Sequence, residues 1–234
     1  MDIKDFIDND STLIQRFKEV APGTYRHCQN VAQLCEPIAK ELDFDDSTLV
    51  VAATLHDIGK MFYPEAFIEN MISEKNLHDS LAPCISYQII SRHVSDSVLK
   101  LIQFNLPIEV VKVVSEHHGN SVIKAIYSKA VDEFEGVVAD HYRYKTSKPS
   151  SPESCVLMIC DTIESACRAL HNSGKLKDHK IVIEKLINDL IEDEQIDILS
   201  LGQLRLIKKI LASEIANTYH KRLDYDEQGM EKIK

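Results

Sequence analysis

The sequence predicts an all-α protein, and three observations carry that expectation. Gly and Pro number only 7 each and Trp is absent in 234 residues, so the turn-rich composition of a β architecture is missing. Apolar residues recur at i, i+3 or i+4, and i+7 through most of the chain. The β-branched runs are short and sit inside that helical period, with no internal repeat. One domain over residues 1–234 is expected, large enough to bury roughly three quarters of its unfolded surface.

Residues 10–20 place Leu13, Ile14, Phe17 and Val20 on one face, a short helix ended by Pro22-Gly23. Thr24 is the expected cap of the next helix, whose stripe is His27, Val31, Leu34, Cys35 and Ile38, with a kink at Pro37. Asp45, Asp46 and Ser47 offer caps for a helix through Val50, Val51, Thr54 and Leu55 to His56. Residues 61–80, with Pro64, Asn70 and Asn76, read as irregular. A helix from Ser80 to His93 should turn Ile85, Ile89 and Ile90 inward, and Ser95-Asp96-Ser97 should restart the chain as a short helix to Phe104.

Pro107 opens "PIEVVKVVSEHH", with Val110, Val111, Val113 and Val114 buried on one side, and Gly119-Asn120 stops it. A shorter helix follows over about 121–134, and "YRYKTSKPSSP" (142–152) is the main loop. Ser151-Pro152 begins a helix through Val156, Leu157, Ile159, Ile163 and Ala166. Two last helices are expected near 180–192 and 199–222, before a frayed tail, "DEQGMEKIK".

The net charge of −10, from 37 acidic and 27 basic residues, argues against duplex nucleic acid as a partner. A small anionic substrate remains compatible, because screening over about 8 Å lets a local positive site differ from the overall sign. The six cysteines form no CxxC pair and mostly sit in apolar helical patterns, as small buried hydrophobes do. Met1-Asp2-Ile3 carries no signal-peptide pattern, so a reducing cytoplasm is the expected compartment. No apolar run approaches 18 residues, and no membrane span is expected in this chain.

The chemistry lies in the histidines. In "ATLHDIGK" (53–60) an apolar helix ends by presenting His56 and Asp57 together, either satisfying each other or aimed at a cation. His27, His56, His93, His117 and His118 each lie at the end of, or within, an apolar stripe. Burying imidazoles without partners costs about a few kcal/mol apiece, a penalty that a shared metal centre removes. Asp161 interrupts the apolar "SCVLMICDTIESA" and requires a metal ion or an imidazolium as partner, unless a nearby hydroxyl such as Thr162 satisfies it. Five imidazoles and two carboxylates exceed what one tetrahedral zinc takes, and suit two ions sharing a bridge. Mixed nitrogen and oxygen donors favour Fe or Mn over Mg or Ca, and leave zinc open. Asp57, with two oxygens, is the natural bridge.

"HDIGK", with a helical histidine upstream and "HH" downstream, resembles the HD-domain metal-dependent phosphohydrolases. The ordered segments "APGTYRHCQNVAQL", "HDIGKMFYPEAFIEN", "NLHDSLAPCISYQIISRHV", "LPIEVVKVVSEHHGNSVIKAIYSKA", "CDTIESACRAL" and "TYHKRLDYDE" resemble, more closely, the cytoplasmic catalytic domain of the seven-transmembrane HD family of cyclic-di-AMP phosphodiesterases. The likeness covers about residues 10–226. It implies an HD-domain helical bundle with a buried dinuclear centre. One ion would sit on His27, His56, Asp57 and Asp161, the other on Asp57, His93, His117 and His118. Arg26 departs from the family, which often has His there, and bears on access or phosphate contact. The "GYP" element of cyclic-di-GMP-cleaving relatives does not follow His118, where "GNSVIKAIY" stands. The membrane helices and extracellular domain of the family are absent from this sequence, which leaves both a catalytic fragment and a free-standing relative open.

The resemblance implies cleavage of cyclic-di-AMP to pApA by a metal-bridging hydroxide. Two divalent ions bring +4 and Asp57, Asp161 and hydroxide return −3, leaving a slightly positive centre for one phosphodiester. Lys60 is a candidate to hold a phosphate oxygen, against a solvated surface lysine. His78, beside Asp79 in a polar loop, is a candidate to line the groove or protonate the leaving group, against a plain capping role. Asp140-His141 reads as surface, and His171, His179 and His220 as structural or solvated. A homodimer stands among the partners considered. The rival functions are an HD nucleotidase or alarmone hydrolase, and a nucleotide-sensing module without turnover.

Overall fold

The computed structural model describes residues 2–71 and 76–230, with side chains as far as residue 218. The helices, in order, are α1 (Thr12–Val20), α2 (Pro22–Leu42), α3 (Asp46–Leu55), α4 (Leu77–Ser80), α5 (Pro83–Gln103), α6 (Ile108–Glu116), α7 (Lys124–Glu133), α8 (Pro152–Asn172), α9 (His179–Glu192) and α10 (Leu201–Met230). No strand occurs among the described residues; a single antiparallel bridge joins Val122 and Arg143. None of the described helices is long and apolar enough to cross a membrane.

The core is one continuous cluster in which α2, α3, α6 and α8 pack face to face. Phe17, Ile38, Leu49, Leu55, Leu157 and Ile159 are fully buried there, each stabilising the fold by roughly 1.5–3 kcal/mol. α3 is apolar all round because it is buried all round, from Leu49 to Leu55 apart from Val50. Asp45 caps it, its carboxylate accepting from Thr48 N at 3.0 Å. α2 continues through Pro37, which forgoes the bond to the Gln33 carbonyl.

Several expectations are corrected. α2 begins at Pro22 rather than after it, and Thr24 is not its cap. The Thr24 amide donates instead to Asn70 Oδ1 at 3.0 Å, so the helix is capped from 46 residues away. Gly23 permits that approach, since a Cβ there would lie 1.8 Å from the Glu69 carbonyl oxygen. Residues 58–70 are a chain of 3-10 turns rather than irregular coil.

The break expected at Ser95-Asp96-Ser97 does not exist. α5 passes through it, with Asp96 and Ser97 buried. Its inward face is Ser86, His93, Ser97 and Leu101, whereas Ile85 is 43% exposed and Ile89 and Ile90 are half-buried. Ser97 Oγ accepts from the Gly59 amide at 2.8 Å, a partner on another element that no hydropathy pattern encodes. The valines of α6 are buried on more than one side, because α3, α5 and α8 all pack against it. α10 continues to Met230 through the start of the tail where fraying is expected; 231–234 and the side chain of His220 lie outside the described residues.

Candidate metal centre

Five helices deliver the site. His27 comes from the second turn of α2, His93 from the middle of α5, and Asp161 from the middle of α8. His56 and His117 are the C-caps of α3 and α6. Those two positions have a shared logic. The last carbonyls of a helix lack intrahelical partners, and each ring turns back to supply one. His56 Nδ1 donates to the Ala53 carbonyl at 2.8 Å and His117 Nδ1 to Val114 at 2.6 Å. His93 Nδ1 does the same to Ile90 at 2.5 Å. A carbonyl only accepts, so each Nδ1 carries the hydrogen and, in a neutral ring, Nε2 is left as a bare lone pair.

These lone pairs converge on Asp57. Its Oδ1 lies 3.2 Å from His93 Nε2 and 3.8 Å from His117 Nε2. Its Oδ2 lies 3.3 Å from His56 Nε2 and 3.7 Å from His27 Nε2. Asp161 Oδ1 stands 3.0 Å from His27 and 3.7 Å from His56, and its Oδ2 stands 3.6 Å from His118 Nδ1. The donors fall into two groups sharing Asp57: His27 and His56 on one side, His93, His117 and His118 on the other.

The residues fit a cation. His93 and His117 bring Nε2 atoms within 3.3 Å of each other, two acceptors face to face. Asp57 Oδ1 and His56 Nε2 are buried without a hydrogen-bond partner. Such a cluster of lone pairs is repulsive unless positive charge sits among them.

The titration of the groups follows the same division. Burial opposes charge on His27, but hydrogen bonds to Asp161 and Glu164 prevail and hold its pKa up at about 10. Burial and the neighbouring His56 and His93 push His117 down to about 3. Burial and His117 likewise press His118 well below the usual range. Against their own desolvation, Asp57 is held well below the carboxylate range by Lys60 and His56, and Asp161 by His27 and His56. The centre thus keeps its carboxylates ionised and His117 and His118 neutral, as ligands need, whereas the neighbouring anions raise His27 and His56, whose protons a bound cation would displace.

Lys60 is not at the solvated surface. Its ammonium lies 2.7 Å from Asp57 Oδ2 and 2.9 Å from Glu69 Oε1, above the Phe67 ring. His78 does not cap a helix; Asn76 caps α4, and the His78 ring meets the Ala66 carbonyl at 2.9 Å through Nε2. That bond holds the turn carrying Phe67, whose ring packs edge-on against His93. Asp140 and His141 are at the surface, with Asp140 paired to Arg143, and His179 bonds the Ala212 carbonyl. All six cysteines are free, with Cys84 alone exposed.

Sequence reasoning passed over four residues. Glu164 accepts from His27 Nδ1 at 2.6 Å, and its place three residues after Asp161 on an apolar helix face was the available signal. Glu69 is the second carboxylate on Lys60. Glu116, 4% exposed, binds Ser150 and Ser154. Tyr144 stacks on His118 at 4.4 Å, carried there by the bridge between 121–123 and the 142–152 loop. A cavity of about 520 Å³ adjoins the cluster, lined by His118, Tyr144, Val122, Ile123, Met158 and Thr162 among others. A second, of about 660 Å³, is lined by His27, exposed Arg26, Asn30 and Arg168.

Fold and site together define a class: helical-bundle proteins with a buried histidine–aspartate centre for divalent metal. Residues 24–166 match the HD domain family, and the chain belongs to it. It is similar to the cyclic-di-AMP phosphodiesterase PgpH of Bacillus subtilis (strain 168), 31% identical over 217 residues, 92% of this chain and 30% of that protein. PgpH of Listeria monocytogenes is 29% identical over 219 residues, again 30% of its length, so the chain spans under a third of these relatives. The crystallised PgpH HD domain of L. monocytogenes superposes with a TM-score of 0.81 at 29% identity, covering 89% of this chain and 99% of that one. The same domain in complex with cyclic-di-AMP gives 0.84 at 28% identity, covering 91% and 100%.

Proposed function

We propose that this chain is a metal-dependent phosphodiesterase unit that hydrolyses cyclic-di-AMP to linear pApA. The observation that carries the reading is the two-sided Asp57, with one oxygen towards His93 and His117 and the other towards His27 and His56. The relatives' activity and the cyclic-di-AMP held by the crystallised HD domain support the substrate. His27, His56, Asp57 and Asp161 would hold one divalent ion, and Asp57, His93, His117 and His118 a second. The mixed donors suit Fe or Mn. When bound, the ions supply Lewis acidity and an activated water near neutral pH.

The chain's own residues supply the rest. The backbone carbonyls of Ala53, Ile90 and Val114 fix three rings with Nε2 inward, so the donors are set before anything binds. Lys60, committed to Asp57 and Glu69, acts through Asp57 as a positioning residue rather than on a phosphate oxygen. His78 likewise positions Phe67 through Ala66. Val122, Ile123 and Met158 give the cavity beside His118 apolar walls suited to a nucleoside. The net charge of −10 favours a small substrate over a duplex, and six free thiols accord with a cytoplasmic site.

Chromatography of cyclic-di-AMP incubated with Mn2+-loaded protein tests this. Wild type should yield pApA, and Asp57→Ala should abolish turnover while circular dichroism stays helical. Cleavage by the variant at the wild-type rate would remove the centre from the reaction. Preference for a mononucleotide or an alarmone would make the chain another HD hydrolase, and binding without product would make it a sensor.

A further inference from the structure

The two halves of the centre are held differently. On one side the second nitrogens of His93 and His117 are tied to neutral backbone carbonyls, and the His118 ring rests on Tyr144. On the other side His56 is tied to a carbonyl, but His27 Nδ1 donates to a carboxylate, Glu164 Oε2, at 2.6 Å. That carboxylate is itself fixed. Asn30 donates to its Oε1 at 2.8 Å and Arg168 to its Oε2 at 3.2 Å, and Glu164 is only 3% exposed. A short charge-assisted bond to an anion pushes electron density through the imidazole and strengthens Nε2 as a donor, which a carbonyl does more weakly. Charge adds in the same direction, because Glu164, Asp161 and the shared Asp57 all stand around His27. Lys60 opposes this on Asp57 Oδ2, but its charge is shared with Glu69.

We infer that Glu164 makes the two metal positions unequal. Acting through His27, it gives the His27–His56–Asp161 position the higher affinity for a divalent cation, and the His93–His117–His118 position fills second. Glu164 is a positioning residue, since its contacts are to His27, Asn30 and Arg168 rather than to the shared donors. The inference rests on the metal-centre reading above, and concerns binding rather than turnover.

Calorimetric titration of the metal-free chain with Mn2+ tests it. Wild type should show two separable binding phases. Glu164→Gln keeps the size and an acceptor but removes the charge, and should weaken the tighter phase about 10- to 100-fold with the other unchanged. His93→Gln should weaken only the looser phase. Arg168→Gln leaves the carboxylate on His27 and should leave the tighter phase as tight as in wild type or tighter.

Equal phases in wild type, a Glu164→Gln titration like wild type, or both phases weakening together would overturn the assignment. So would loosening of the tighter phase by Arg168→Gln, which also decides the matter should Glu164→Gln not fold. Wild type binding fewer than two ions would sink the dinuclear centre itself, and the inequality with it.

Discussion

Lys60 sets its ammonium 2.7 Å from Asp57 Oδ2, one turn further along the same chain segment, with only 13% of its side chain exposed. Burial works against the charge of Lys60, but Asp57 and Glu69 prevail and raise its pKa well above the usual lysine range. The lysine is therefore an internal cation for the Asp57 carboxylate.

Removing that cation should cost the metal-free protein most. Lys60→Met leaves two buried carboxylates facing each other, and breaking a buried pair typically costs about 3–5 kcal/mol. Mn2+ supplies a replacement partner for Asp57, so denaturant midpoints of wild type and variant should converge as the ion is added. A gap that stays the same with and without Mn2+ would separate Lys60 from the metal ligands.

Glu69 gives a pH signature. Burial alone would raise its pKa, but Lys60 prevails and lowers it to about 2 from 4.5. A depressed carboxylate stabilises the fold above its unfolded pKa, and that stability is lost as pH falls through the folded value. Glu69→Gln should be less stable than wild type by about 2–3 kcal/mol at pH 7. The difference should persist down to about pH 4.5 and close towards pH 2. Urea unfolding at several pH values reads it, and a gap that widens in acid would contradict the assignment.

Gly59 seats the turn that follows His56-Asp57 on α5. A Cβ there would lie 2.2 Å from the His93 carbonyl oxygen and 2.4 Å from Ser97 N, both backbone atoms that cannot swing aside. Gly59→Ala should destabilise by several kcal/mol, roughly the upper range for point mutants, and reduce the metal bound per chain. Ser97→Ala is the milder probe. It orphans the Gly59 amide, which donates to Ser97 Oγ at 2.8 Å, at a cost of about 1–3 kcal/mol. Thermal melting and metal analysis should move together in both variants.

Glu116 ties α6 to the start of α8. Its carboxylate accepts from Ser150 N at 2.9 Å, Ser150 Oγ at 2.7 Å and Ser154 Oγ at 2.8 Å. Glu116→Ala should cost about 1–3 kcal/mol, chiefly by removing the acceptor of the buried Ser154 hydroxyl, since Ser150 is exposed to water. Hydrogen exchange should rise at residues 150–156 while α10 stays protected. Unchanged exchange there would mean that the loop is held by other contacts.

The residues of the histidine–aspartate cluster were legible because each violates its surroundings. An imidazole or carboxylate on an apolar stripe needs a partner, and His27, His56, His93, His117 and Asp161 all broke their helical pattern in that way. The supporting residues broke no pattern. Glu164, Glu69 and Glu116 resemble ordinary charged positions until their neighbours are known, and Tyr144 lay in a stretch that reads as a polar loop. The inward face of α5 was misread for the same reason. Isoleucines outrank serine and aspartate in any hydropathy pattern, yet Ser97 and Asp96 are the buried ones.

What the sequence determined by itself was the helical architecture, the segment that carries each clustered histidine and aspartate, and Asp57 as the group able to face two ways. These follow from period and residue chemistry, which act over a few neighbouring positions. Tertiary structure alone decided which nitrogen of each ring faces inward, that Lys60 points at Asp57 rather than at solvent, and that Glu164 stands behind His27. Such facts depend on partners as far as 137 residues apart along the chain. A hydrogen bond is fixed by distance and direction in space, and neither is written in spacing along a chain until the helices have packed.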